Sequence, residues 1–424
     1  MERQVTAVKN EGSVVLCKWQ PELGRELLER TRVHVVLDDY DIAHAAIDDV
    51  LLAKAATVQR VSTFNALEEL ATVAVSILMQ DPEVSRVVSF AEFSQLGAGY
   101  LADLLGVGPP VLASVAGRDK RLMKRLVATA GVPTADFYSL PDPKDETAVA
   151  ALAGRLDFPV VVKPAAGFGT MSTLRVDGAA EFRELCRSFP YEPVLASRQL
   201  TVESFVDGEE LHVDAYWGAD GPHFLFVSRY FAPRLAVQRG ECPLDGGELL
   251  SSTDHAELYA ELEALTARVM GALGVTGTMI HLEVFRQADG RIVFSEIATR
   301  VGGGWVSGLI SQGLGRSIWT VLADLAIEGR TGPPRPVAPY IGVVHLRPEV
   351  PGRVVRIPTV ADVMAIPGMF QAQVWPALGD VLAMRHPSEW VVFAFIGADS
   401  PTALDALVRE VAQRLSVRTV PVES

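Results

Sequence analysis

Asp289-Gly290 sits between two runs of alternating apolar residues, HLEVFRQA and RIVFSEIA, that together span His281 to Ala298. An Asp-Gly pair flanked this way is the strongest short-range hairpin signal and predicts a two-residue type I′ turn. That turn closes on Ala288 and Arg291. Counting back, Glu283 faces Glu296 and His281 faces Ala298. Antiparallel alternation makes Glu283–Glu296 a non-hydrogen-bonded pair, where side chains sit closest. Like charges directly opposite destabilise a sheet. Two such carboxylates call for a cation between them, or for a proton on one. Glutamate oxygens suit Mg²⁺, which is commonly held by one or two carboxylates together with substrate phosphates. The pattern therefore suggests a metal–phosphate site. The plainer alternative is an acidic hairpin face that is simply solvated, and a single bulge would shift the register.

At 424 residues the chain has a length prior of about two to four domains. It is 49% hydrophobic and 21% charged, enough apolar material for a large core and too much for long disorder. No apolar run reaches the roughly 18 residues of a membrane span. The opening segment MERQVTAVKN has no apolar core of the kind a secretory signal needs, so none is expected. Three scattered cysteines, Cys17, Cys186 and Cys242, fit a reducing cytoplasm rather than a disulfide framework or a zinc cluster. The formal charge of −14 and the lack of any Lys/Arg run argue against nucleic acid as a partner.

The N-terminal part alternates strand and helix signals. SVVLCKW, RVHVVLDD and SRVVSFAEF read as strands, with helices PELGRELLER and ALEELATVAVSILMQ between them. This order predicts a parallel, doubly wound sheet whose ligands lie beyond the carboxyl ends of the strands. Asp38, Asp39 and Glu92 stand at those ends, the two aspartates reading as ordinary loop acids. GVGPP at 106–110 marks a boundary. In RDKRLMKRLVATAGVP, Leu122, Met123, Leu126, Val127 and Ala130 share a helical face; Lys120 and Lys124 lie on another, which is ordinarily the solvated one.

FPVVVKPAAGFGTMSTLRV predicts strand, loop, strand, with Lys163 ending a run of valines. The loop's small residues and hydroxyls can cradle phosphate with backbone N–H groups. It is neither a Walker A loop nor a dinucleotide fingerprint. LTVESFVDGEELHVDAYW reads as strand, Asp-Gly turn, strand, with Glu203 and Glu210 flanking the turn. The helix DHAELYAELEALTARVMGALG then leads into the opening hairpin. EGRTGPPRPVAP, 328–339, is a proline-rich connection, and the remainder is β-rich before a final amphipathic helix.

Singly these elements are weak; their order resembles the ATP-grasp superfamily of ADP-forming ligases. Within it the chain is most similar to L-amino-acid ligases that make dipeptides, through RDKRLMKRLVATAGVP, the H-x-E strand, EIATRVGGG and PGRVVRIPTVADVMAIPGM. The resemblance implies an α/β fold with three parts. An N-terminal Rossmann-like parallel sheet occupies 1–112. A two-lobed α+β ATP-grasp core occupies 113–336, its small lid lobe at about 133–206. A β-rich C-terminal domain occupies 337–424.

The resemblance also implies site roles. Lys120 and Lys163 would contact ATP phosphates. The loop 166–172, with Gly167, Gly169, Thr170 and Ser172, would close over them. Glu203 would accept from the adenine amino group, beside the backbone of Phe205 and Val206, and Glu210 would hold the ribose. Glu283 and Glu296 would share Mg²⁺, or Mn²⁺ in its place. Arg300 would steady the transferring phosphoryl group and the acyl phosphate. Glu92 would receive a substrate's amino group, Gly303 would let backbone approach the intermediate, and Trp305 would wall the substrate pocket or serve as plain core. Many relatives carry asparagine two residues after the second metal glutamate; here that residue is Ala298. His281, opposite it, is a candidate catalytic residue.

The implied reaction joins a small-molecule carboxylate to an amine through an acyl phosphate, releasing ADP and phosphate in the cytoplasm, without a membrane partner; a homodimer is compatible with it. Alternatives are an ATP-grasp enzyme with a carrier-protein thiol acceptor or with carboxylation or formylation chemistry. A nicotinamide-dependent oxidoreductase is the alternative from another class, although no G-x-G-x-x-G follows the first strand.

Overall fold

The computed structural model describes residues 12–195, 197–242, 244–384, 389 and 391–422; the opening MERQVTAVKN lies outside them. No helix among the described residues is long and apolar enough to cross a membrane.

Near the N-terminus the strands Thr57–Val61, Val33–Asp38, Ser13–Cys17 and Val84–Ser89 form one sheet in that order, all pairs parallel. The sequence reading found three of these. Thr57–Val61 escaped because its edge position leaves Thr57, Gln59 and Val58 at least partly exposed, without the apolar run of a buried strand. Asp38 is no ordinary loop acid: it is buried, caps the helix Asp39–His44 and accepts from Lys18 Nζ at 2.6 Å. Asp39 is exposed.

The small lobe is an antiparallel sheet ordered Phe137–Leu140, Leu200–Ser204, Val160–Pro164, Leu174–Val176. Its own apolar cluster, with Val162, Phe182 and Leu200 at the centre, lies between the sheet and the helices Glu146–Ala153 and Ala179–Arg187. Asp207-Gly208 is not a hairpin turn. The strand before it belongs to this sheet; the strand after it, Glu209–Gly218, belongs to the large one. The Asp-Gly pair is therefore the crossing between lobes, packed so closely that a Cβ on Gly208 would lie 2.6 Å from the carbonyl oxygen of Arg286.

The large sheet has eight strands, from Ile292–Ala298 at one edge through Thr278–Arg286, Glu209–Gly218, Gly221–Tyr230, Asp245–Leu249, Tyr340–Leu346 and Val392–Ala398 to Met369–Val374. Three of these come from beyond residue 336; the C-terminal part is β-rich, extends the central sheet, and adds a three-stranded sheet of Gly352–Arg356, Val381–Leu382 and Arg418–Val420 and an apolar cluster around Val363, Ile396 and Val411. Val392–Ala398 is buried at every position, as expected of a strand covered on both faces. The helix Ala256–Leu273 buries Leu258, Leu262, Leu265 and Val269 against the sheet and ends on Gly274 in the left-handed region.

The hairpin pairs Glu283 with Glu296 and His281 with Ala298, by a route other than a type I′ turn. Gly290 N–H donates to Gln287 O, Gln287 N–H donates to Arg291 O, and Gly290 has φ +85° while Asp289 is not left-handed. The loop thus holds three residues, 288–290, with glycine at its left-handed position. That shifts the register by one at Arg286–Ile292, Phe285–Val293 and Val284–Phe294. A bulge at Ser295 then shifts it back before Glu296.

Leu262→Ala, which truncates a fully buried side chain remote from the cleft, is expected to cost about 2–5 kcal/mol. Denaturant unfolding followed by circular dichroism measures it.

Candidate functional site

A cavity of about 590 Å³ runs between the small lobe and the large sheet and on towards the N-terminal sheet. It is built from four places. The helix Lys120–Thr129 starts at Asp119, whose carboxylate accepts from the N–H groups of Arg121 and Leu122. Its buried positions are Lys120, Met123, Lys124 and Val127, spaced three, four and seven apart. The lysines expected on the solvated face are therefore on the packed one.

Burial is tolerated because each lysine meets acid. Lys120 Nζ lies 3.0 Å from Glu296 and donates to Gly167 O at 2.8 Å. Lys163, at the end of a lid strand, lies 3.1 Å from Glu203 and 3.5 Å from Glu296. Lys124 lies 3.3 Å from Glu203 and donates to Ser295 O at 2.6 Å. Ser295 is the residue skipped in the pairing of the hairpin. Burial alone would raise the Glu296 carboxyl, but Lys120 and Lys163 outweigh it and hold it well below the usual range. Burial likewise penalises the Lys163 ammonium, and Glu203 and Glu296 more than offset this.

Across the hairpin Glu283 accepts from Tyr230 OH at 3.0 Å and lies 3.4 Å from His281 Nε2. His281 Nδ1 is 2.9 Å from Asp214, whose other oxygen is 2.6 Å from His212 Nδ1. These four residues form a buried chain ending on Glu283. Burial would lower the His281 imidazole, but Asp214 and Glu283 push it up to about 9. The two facing glutamates fit a divalent cation: their oxygens are of the right kind, they sit opposite each other, and cationic and hydrogen-bonding groups already support each. Ala298 supplies no further ligand.

Glu210 is buried and accepts from Arg234 N–H at 2.7 Å. Burial and the neighbouring Glu283 push its carboxyl up to about 8. Glu203 uses one oxygen for Lys124 and Lys163, and the other, Oε1, is buried with no partner. That orphan acceptor belongs to a residue lining the cavity, beside Phe205 and Val206.

At the N-terminal end Glu92 follows the strand Val84–Ser89 and is gripped by Arg300 on one oxygen and Arg118 on the other. Arg118 also donates to Ala166 O at 2.9 Å. The sequence reading passed over Arg118, which stands in a mixed-charge helix start with nothing to distinguish it from Arg121. Phe168, on the lid loop, meets Phe93 edge to face at 4.8 Å between ring centroids.

Of the sequence-derived residues, Glu92, Lys120, Lys163, Gly167, Gly169, Thr170, Glu203, Phe205, Val206 and Glu210 line the cavity, with His281, Glu283, Glu296, Arg300, Gly303 and Trp305. Ser172 does not. Its hydroxyl turns into the small lobe, donating to Pro190 O at 2.6 Å and accepting from Glu192 N–H at 3.1 Å. Trp305 is both wall and core, being buried while lining the cavity.

The cleft thus lies between an antiparallel lid lobe and a large sheet, with lysines from one side and paired glutamates from the other. Residues 156–308 match the ATP-grasp domain family. Over 309 residues it is 27% identical to the L-arginine-specific L-amino acid ligase of Bacillus subtilis, covering 72% of each chain. It is 31% identical to a D-alanine–D-alanine ligase of Cupriavidus necator over 49% of this chain and 60% of that one. In structure it is similar to an L-amino acid ligase from Bacillus licheniformis, with TM-score 0.74 and 18% identity over 98% of this chain and 100% of the other.

Two outcomes follow. Because the Glu210 carboxyl is raised in the folded state, the native protein holds its proton at pH values where the unfolded chain has lost it, and stability falls as pH rises from about 4 to 8. Glu210→Gln should flatten that slope in unfolding titrations of the ligand-free protein. Asp214→Asn should weaken Mn²⁺ binding about tenfold or more, read by titration calorimetry, by loosening the support of Glu283.

Proposed function

We propose that this protein is an ATP-dependent carboxylate–amine ligase that joins an amino acid to a second amino acid or amine, releasing ADP and phosphate. The observation that carries this reading is the convergence of Lys120, Lys163, Glu283, Glu296 and Arg300 on one cavity. In this reading the triphosphate lies along Lys120 and Lys163 under the loop 166–170, whose Gly169 and Thr170 are left-handed. The adenine amino group donates to the unpartnered Oε1 of Glu203, beside the backbone of Phe205 and Val206. Glu210, protonated or not, can meet the ribose hydroxyls. Glu283 and Glu296 would hold Mg²⁺, or Mn²⁺ in its place, which would supply positive charge to offset that of the phosphates.

A substrate carboxylate oxygen attacks the γ-phosphorus, the bond to the β,γ-bridging oxygen breaks, and ADP leaves. Both reactants are anionic, so Lys120, Lys163 and Arg300 offset the repulsion. A neutral amine then attacks the acyl carbon, phosphate departs, and the amine loses a proton. Arg300 stands where it can neutralise the acyl phosphate, with Glu92 beside it to meet a substrate ammonium. Gly303 leaves open space at the same wall, as nothing lies within 4 Å of where its Cβ would be. Water must be excluded while the acyl phosphate exists, and the contacts of Ala166, Gly167 and Phe168 with Arg118, Lys120 and Phe93 suit a loop that closes over the site. A reducing cytoplasm suits the free cysteines, of which Cys17 and Cys186 are buried.

With ATP, Mg²⁺ and a matrix of amino-acid pairs, phosphate and ADP should form in step with a condensed product, and chelation should abolish both. Arg300→Met should lower kcat by about 10²–10³. Phosphate release that needs bicarbonate, formate or a carrier thiol instead would assign a different acceptor. Protection by NAD with no response to ATP would overturn the reading.

A further inference from the structure

The cavity is longer than a nucleotide site alone requires. Beyond Glu92 and Arg300 it continues to an end formed by Gln20, Phe90, Trp305, Trp319, His345 and Phe393. These residues come from the first strand–helix loop, the end of the strand Val84–Ser89, the two helices after the glycine run, and the C-terminal strands of the large sheet. Trp305 and Phe393 belong to one apolar cluster, and Phe90 and Trp319 pack on its partly buried edge, 5.4 Å apart and edge to face. Two ring pairs, Phe90–Trp319 and His345–Phe393, thus give this part of the cavity an aromatic lining, and Trp305, which also packs on Tyr230, adds a further ring.

Its charges decide what enters. Glu92, at the mouth of this end, is gripped by two guanidinium groups, Arg118 and Arg300. His345 lies 3.0 Å from Asp245, and Arg234, which also lines the cavity, is paired with the same aspartate. Glu203, Glu283 and Glu296 are committed at the nucleotide end. A cationic side chain in this aromatic end would lie beside the guanidinium groups of Arg118, Arg234 and Arg300, a like-charge repulsion that opposes the attraction of the ring faces, and Glu92 is left to the substrate's own ammonium. An apolar side chain would gain from burial against aromatic faces. The α-carboxylate and ammonium of the same molecule would find Arg300 and Glu92 at the mouth.

Resting on the ligase reading above, we propose that the substrate bound beside Glu92 and Arg300 is an amino acid with a large apolar side chain, aromatic or branched aliphatic, lodged between Phe90, Trp305, Trp319 and Phe393, and that basic amino acids are rejected there. The chain would then differ in specificity from its arginine-specific relative while keeping the same reaction.

The test uses the full chain with ATP, Mg²⁺ and single amino acids, each offered with a common amine, reading phosphate and product. Phenylalanine, tryptophan, leucine and methionine should exceed arginine and lysine in kcat/KM by about tenfold or more. Trp319→Ala should raise KM for phenylalanine far more than it lowers kcat, and Trp319→Phe should restore most of the loss. Preference for arginine, lysine or glycine, or a Trp319→Ala enzyme with unchanged KM for phenylalanine, overturns the pocket assignment while leaving the ligase reading intact. No phosphate from any amino acid, in a protein that binds ATP, overturns both.

Discussion

Opposite charges buried between two lobes are the constraint on which this structure turns. Glu296 belongs to the large sheet, Glu203 and Lys163 to the lid sheet, and Lys120 and Lys124 to the helix that precedes the lid. Removing any one of them would leave its partners charged in a dry place, which costs more than the pair itself contributes. The cluster therefore sets how the lobes meet. It also leaves cationic groups arrayed along the cleft, where a polyphosphate can exchange for carboxylate contacts without an empty charged surface having to be maintained in its absence.

Which residues would line one cavity was legible where short local patterns carry them. A strand of valines ending in lysine, a glycine loop and an H-x-E strand each retain their meaning without knowledge of what packs on them. The fold was less legible wherever position in a sheet overrides pattern. The edge strand Thr57–Val61 lacks an apolar run, and the Asp207-Gly208 pair looks like any hairpin turn until its two flanking strands are found in different sheets. The β-rich character of the C-terminal part was legible, but not that three of its strands join the central sheet, because nothing in a strand's composition names its neighbour.

The helix Lys120–Thr129 shows the limit most clearly. Its sequence offers one apolar stripe and one basic stripe, and amphipathic logic sends the basic one to water. The stripe around Lys120 and Lys124 is nevertheless buried, because acids supplied from residues 203 and 296 wait there. Ser172 failed for the complementary reason. A hydroxyl in a glycine loop suits phosphate, but the neighbouring backbone at Pro190 and Glu192 claimed it first. Arg118 had no local pattern at all; only its meeting with Glu92 distinguishes it.

The hairpin that carries the two glutamates reaches its pairing through compensating irregularities. Its loop holds one residue more than the tightest form, and Ser295 is skipped in the ladder. Loop length and bulge are thus linked like two digits of a combination. The same glutamates could have met across a two-residue turn with no residue skipped; the chain instead lengthens the loop and sets Ser295 aside. The carbonyl of the skipped residue is the one that anchors Lys124, so the kink in the strand and the lysine beneath it form a single fitting.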